Sequence, residues 1–165
     1  MPRRTNTSIA ASLVAMTCCA CTAAQTAALS SIDTGYTISI SKVRTAAVRG
    51  KTRIIAGTYE GALLGVELGG TCLWTNALSG FMNRDLWCED LTGDGSDEVL
   101  AANADGALYC LDSAGALQWT FKTNDAPMNA VTVVHHKDTP YVVCGGYDMN
   151  LYYLSAPGDR VKTIP

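Results

Sequence analysis

Beyond its leader-like first 28 residues, the sequence has no stretch that keeps helical apolar periodicity long enough to form a helix, which takes about ten to twelve residues. That absence excludes the helical solenoids, some of which repeat with a period close to the one found here. Histidine is scarce: His135 and His136 are the only two. Strand neighbours point to opposite faces, so these two are poorly placed to share a metal. No two of Cys72, Cys88, Cys110 and Cys144 stand at CxxC spacing, which argues against a zinc knuckle or a redox dithiol. Lysine and arginine number 12, are scattered, and leave a net charge of −3; without a basic stripe, nucleic acid is not an expected partner. No nucleophile motif accompanies the histidines, so no catalytic and no cofactor-binding residues are nominated.

The first residues read as an address. Arg3 and Arg4 precede the apolar run Ile9-Ala10-Ala11-Ser12-Leu13-Val14-Ala15-Met16, and small residues follow up to Ala28. A positive end, a short apolar core and a small-residue zone form a secretory leader over residues 1–28. The run is too short and too rich in Ala, Thr and Cys for a comfortable membrane span. The expected location is therefore periplasmic or extracellular. Cys18 and Cys21 match a bacterial lipobox only in part, which leaves a lipid anchor as the one route to a membrane. Residues 29–41 read as a linker or first strand. The four downstream cysteines each fall in a predicted strand and are expected as buried free thiols, with one disulfide as the alternative.

What the chain does have is a repeat. Ile54-Ile55-Ala56-Gly57, Glu60-Gly61-Ala62-Leu63 and Leu73-Trp74-Thr75 return 45 residues later as Val99-Leu100-Ala101-Ala102, Asp105-Gly106-Ala107-Leu108 and Gln118-Trp119-Thr120. A weaker copy follows 43 residues on, with Val142-Val143-Cys144-Gly145 and Val161-Lys162-Thr163. A fixed period means one supersecondary unit used again, each copy too small to bury its own apolar faces. Short apolar runs punctuated by Gly or Asp-Gly make it a strand unit. The middle copy predicts strands at Leu86–Glu89, Glu98–Ala102, Ala107–Leu111 and Leu117–Phe121. Four antiparallel strands in about 45 residues is the layout of a propeller blade. The expectation is all-β: about three such blades over 42–79, 82–123 and 128–165, an incomplete propeller. The second strand of each copy, apolar on both faces and rich in Ala and Gly, is expected near the propeller axis. The third copy, with Lys162 where the others have Trp, is expected to be incomplete or terminal. Trp74 and Trp119 are expected to pack one blade on the next, Tyr147, Tyr152 and Tyr153 to serve blade packing, and the recurring Met82-Asn83 and Met128-Asn129 to mark blade boundaries.

The segment from Leu108 to Trp119 resembles the tryptophan-docking repeat of PQQ-like β-propellers, and Glu67, Gly70 and Trp74 keep its spacing in the first copy. The resemblance covers residues 42–165 and implies the fold more than any chemistry. Quinone chemistry is not expected, because the vicinal cysteine pair used by that family's dehydrogenases occurs here only as Cys18-Cys19, within the leader.

One loop carries chemistry. In Asp90-Leu91-Thr92-Gly93-Asp94-Gly95-Ser96-Asp97-Glu98, oxygen-bearing side chains alternate at Asp90, Thr92, Asp94, Ser96 and Glu98. Hard oxygen ligands on a flexible loop suit Ca²⁺. It is not an EF-hand, whose twelfth position needs a Glu where Ala101 stands. It looks like the calcium loop of FG-GAP/VCBS-type repeats, with Thr92 departing from that pattern. The plain alternative is an acidic, solvated turn without metal. The residues together point to an exported, non-catalytic propeller scaffold for a protein or carbohydrate partner, stabilised by structural calcium. Its missing blades would come from a longer chain or from self-association. The alternative is a fragment of a propeller enzyme such as a polysaccharide lyase or a PQQ-type dehydrogenase.

Overall fold

Glycines and Asp-Gly pairs divide the chain into short segments that alternate between two faces, and among the described residues these become twelve strands. The computed structural model describes residues 38–165; the leader, with Cys18, Cys19 and Cys21, and most of segment 29–41 lie outside the described residues. The strands form three four-stranded antiparallel meanders. The first comprises β1 (Ile40–Val48), β2 (Lys51–Thr58), β3 (Ala62–Glu67) and β4 (Cys72–Ala77). The second comprises β5 (Asn83–Glu89), β6 (Glu98–Asn103), β7 (Ala107–Leu111) and β8 (Leu117–Lys122). The third comprises β9 (Met128–His136), β10 (Thr139–Gly146), β11 (Leu151–Leu154) and β12 (Arg160–Ile164). The third copy is thus complete in its four strands, which corrects the first half of the expectation that it is incomplete or terminal; what it lacks is the tryptophan.

The sheets pack face to face in sequence order. On β6 the side chains alternate between two cores. Val99 and Ala101 join Ile55, Leu63 and Leu86 on the side of the first sheet, while Leu100 and Ala102 join Val142, Cys144 and Leu154 on the side of the third. Every residue of β6 is buried, as a strand covered on both faces must be. At roughly 1.5–3 kcal/mol per fully buried Leu or Val side chain, these two layers hold the sheets together. The strands that approach one another at the centre are the first of each sheet: β1 packs against β5, and β5 against β9. This corrects the placing of the second strands nearest the axis. Small residues on β2, β6 and β10 let the sheets close on each other, while the first strands converge.

Tryptophans fasten the outer parts of the sheets. The Trp74 indole N–H donates to the Ser113 carbonyl at 3.2 Å, and the Trp119 indole N–H donates to the Ala156 carbonyl at 3.1 Å. Each ring lies on a glycine in the last turn of the following sheet. A Cβ at Gly115 would stand 2.5 Å from Trp74, and one at Gly158 would stand 2.6 Å from Trp119. Both glycines also have positive φ, +82° and +91°, so turn and indole seat are one device.

All four downstream cysteines are free, with Cys110 and Cys144 buried, Cys88 half-buried and Cys72 exposed. The burial expectation therefore fails at Cys72, which opens the solvent-facing strand β4, while Cys88 is half-buried against the core between the first two sheets. Tyr152 is buried and meets Phe121 edge-on at 5.2 Å, whereas Tyr147 is exposed in a turn.

Candidate functional site

The loop between β5 and β6 is shaped by its own carboxylates. Asp90 Oδ1 accepts the Gly93 N–H at 2.7 Å and the Asp94 N–H at 3.2 Å, and Oδ2 accepts the Gly95 N–H at 2.9 Å. Gly93 and Gly95 supply the positive φ that this winding requires, +77° and +82°. Asp94 Oδ1 accepts the Ser96 N–H at 2.8 Å. Glu98 reaches back from β6, its Oε2 accepting the Leu91 N–H at 2.8 Å.

The loop also clamps two sheets. The Arg49 N–H donates to the Gly95 carbonyl at 2.8 Å, and the Asp97 N–H to the Ala47 carbonyl at 2.7 Å. The Ala47 N–H donates in turn to Asp97 Oδ2 at 2.7 Å, and Val48 and Ser96 form an antiparallel bridge. The β1–β2 hairpin of the first sheet is held by the loop of the second.

The five nominated oxygen residues are divided among three tasks. Asp90 turns its carboxylate into the loop's own backbone, and Ser96 is buried at the bridge to β1. Thr92, Asp94 and Glu98 line a cavity of about 710 Å³. Asp112, Gln118 and Trp119 complete its wall. Among the described residues no three His, Cys, Asp or Glu side chains gather closely enough to hold a metal ion. Yet the charge is concentrated. Desolvation raises Glu98 above its ordinary pKa of 4.5, the Leu91 N–H opposes this, and the nearby charges of Asp90 and Asp94 add to it. Desolvation likewise raises Asp97 above 3.8, against the Ala47 N–H and with the charges of Glu89 and Asp90. For Asp90 desolvation also pushes upward, but the N–H donors of Gly95, Gly93 and Asp94 outweigh it and hold its carboxyl below 3.8. The set offers a hard cation negative charge and oxygens on one side, though not a closed cage.

His135 and His136 are exposed on β9, and His135 Nε2 lies 3.8 Å from Glu89 Oε1. A polar group not anticipated as a site lies at the start of the central strands. Asn83 and Asn103 are fully buried and joined, Asn103 Nδ2 donating to Asn83 Oδ1 at 2.9 Å. Beside them Arg84 reaches across to Asn129 on β9. Only the recurrence of Met-Asn hinted at this region in the sequence.

Three meanders converging on their first strands, with an indole from each of the first two seated on the next, are blades of a β-propeller. The sequence matches the lambda-carrageenase beta-propeller domain over residues 53–165, and the chain belongs to that family. It is 52% identical over 141 residues to a lambda-carrageenase of a Pseudoalteromonas species, and 51% identical over 141 residues to one of Pseudoalteromonas carrageenovora; each match covers 86% of this chain. The chain spans about 15% of the length of these curated relatives. Among solved structures, Saccharomyces cerevisiae Sqt1 superposes with a TM-score of 0.63 at 10% identity, covering 76% of this chain and 38% of that one. BamB from Moraxella catarrhalis gives 0.52 at 21% identity, covering 67% and 33%. BBS1N, solved with ARL6DN, gives 0.61 at 15% identity, covering 78% and 38%. These three likenesses concern the fold.

The opposed shifts in the loop give a pH signature without metal. A carboxyl raised in the fold binds its proton more tightly folded than unfolded, so protonating it favours the fold; a depressed one does the reverse. In chelator, stability should rise as the pH falls through the raised values of Glu98 and Asp97, then drop below 3.8 as Asp90 protonates. Melting temperature against pH should show this acidic maximum, and Glu98→Gln should flatten its rising limb. A fall in melting temperature all the way from neutral pH would contradict the assignment.

Proposed function

We propose that this chain is a three-blade section of the β-propeller domain of an exported carrageenan-degrading enzyme, and that it serves there as a non-catalytic scaffold that holds polysaccharide. The observation that carries the reading is the identity of 52% over 141 residues to a lambda-carrageenase of which the chain spans 15%. The reading as a scaffold is supported by the turn-forming work of several carboxylates. Glycoside hydrolysis uses two carboxyl groups facing each other across the scissile bond. Here Asp112 accepts the N–H groups of Ala114 and Ala116, Asp105 accepts the Ala107 N–H and the Tyr109 hydroxyl, and Asp148 accepts the Tyr152 hydroxyl. These groups shape turns. The enzyme alternative raised by the sequence then belongs to the longer protein, which would also supply the blades that close the ring, and it acts on a polysaccharide rather than through a quinone.

In this reading Ca²⁺ has a structural part. Thr92, Asp94 and Glu98 on the cavity wall would hold it from one side, in a loop like the FG-GAP/VCBS-type one that the sequence resembles, while Asp90 and Ser96 shape that loop. The ion would offset the carboxylate charge that adds to desolvation in raising Glu98 and Asp97, and would pin the clamp to β1. The Trp seams support the likeness to PQQ-like repeats in architecture. The leader-like N-terminus supports export.

Two measurements test these points. The chain should be retained on immobilised lambda-carrageenan without shortening the polymer. Depolymerisation by the chain alone would contradict the scaffold role, and passage of folded chain without retention would contradict the polysaccharide role. Calcium should raise the melting temperature at neutral pH, and Asp94→Ala should abolish the gain; no calcium-dependent shift in the folded chain would remove the ion from the account.

A further inference from the structure

The first strands of all three blades carry a register shift at the same place. In the first blade it falls between Ile40 and Lys42, and in the second between Asn83 and Asp85. In the third the partners of Gly145 and Gly146 are Ala130 and Met128. The residues left over are Ser41, Arg84 and Asn129, which recur with the period of the repeat. A β-bulge releases one residue from the ladder and re-aims its side chain, and bulges are common beside binding sites. Because β1, β5 and β9 converge, the three side chains form an arc at one end of the central strands. Ser41 Oγ donates to the Asn83 carbonyl at 2.8 Å, and Arg84 Nη1 donates to Asn129 Oδ1 at 3.0 Å.

Arg84 is the unusual member. Nη1 also donates to the Tyr147 hydroxyl at 3.3 Å, and the guanidinium carbon lies 5.1 Å from the centre of the Tyr147 ring. Among the described residues no carboxylate pairs with Arg84. The adjacent Asp85 is taken by Arg44 at 3.3 Å and by the Val131 N–H at 3.2 Å. Arg84 Nε is buried without a partner, the only such side-chain atom among the described residues. A buried donor left unsatisfied is costly, and each case in a native protein calls for an explanation. With Nη1 anchored, the edge formed by Nε and Nη2 is the one an arginine offers to an oxyanion in two parallel hydrogen bonds. Tyr147, 63% exposed in its turn, lies against the guanidinium, and an oxyanion taken on that edge would displace it.

We infer that Arg84, set on its bulge and anchored by Asn129, is an oxyanion site that takes a sulfate ester of the polysaccharide. The inference rests on the carrageenan reading above, carrageenans being sulfated galactans, and it deepens that reading. A chain with a net charge of −3 needs a local cationic point to hold such a polymer, and this guanidinium is not neutralised by a carboxylate within the described residues.

The test is calorimetric titration of the folded full chain with a lambda-carrageenan oligosaccharide, its desulfated form and inorganic sulfate, with thermal melting as the fold control. Wild type should bind the sulfated oligosaccharide at least ten-fold more tightly than the desulfated one. Arg84→Gln should lose at least ten-fold, and Arg84→Lys, which keeps the charge but not the two-pronged edge, should lose an intermediate amount. Should Arg84→Gln fail to fold, the lysine variant decides. Unchanged binding of the sulfated oligosaccharide by a folded Arg84 variant would overturn the site and leave the carrageenan reading standing. Arg84-dependent binding of inorganic sulfate without binding of the oligosaccharide would support the oxyanion site and overturn the carrageenan reading. Binding of neither sulfate nor oligosaccharide by folded wild type would overturn the site.

Discussion

The seat of an indole on a glycine turn is the contact on which the rest of this structure depends. A four-stranded sheet has two faces and cannot bury both alone. Trp74 and Trp119 each leave the last strand of one blade and close over the last turn of the next, with Gly115 and Gly158 providing the only side-chain-free floor there. The ring N–H groups find carbonyl acceptors in the same turns, so the seam is apolar in its body and satisfied at its edge. With the blades held in this way, β6 can be buried on both faces and its alternating residues divided between two cores.

The same seams position the chemistry. The second seam makes Trp119 one wall of the cavity that Thr92, Asp94 and Glu98 line opposite it. The β5–β6 loop crosses the first seam and ties Ala47 and Arg49 to the middle blade. At the centre, convergence of the first strands lets bulge residues of successive blades reach each other, as Arg84 and Asn129 do. A propeller of this kind offers binding groups at its blade junctions without loosening the blades themselves.

Much of this was legible in the sequence because it follows from short-range rules. Turn glycines and two-residue alternation located the strands of the middle copy to within a few residues. The common spacing of Trp74 and Trp119 disclosed the seams. What could not be read is what depends on register and on neighbouring blades. Ser41, Arg84 and Asn129 share no side-chain chemistry, so nothing marks them as equivalent until the ladder is seen to skip at each. The alternating oxygens from Asp90 to Glu98 identified a loop of interest, but not that Asp90 would spend its carboxylate on its own backbone while Glu98 faced the next blade. Small residues in β2, β6 and β10 spoke of tight packing without revealing that the first strands lie at the centre. The solvent exposure of Cys72 depends on β4 being an outer strand, which no local pattern states.

The central claim, that indole seats join the blades, is tested most directly by comparing two glycines that differ in one respect. Gly93 and Gly158 both have positive φ, +77° and +91°, but a Cβ at Gly93 meets nothing within 4 Å whereas one at Gly158 stands 2.6 Å from Trp119. In denaturant unfolding with chelator present, Gly93→Ala should cost only the left-handed backbone penalty, about 1–2 kcal/mol. Gly158→Ala should cost about 1–3 kcal/mol more, because the indole must leave its seat. Equal losses for the two substitutions would contradict the account.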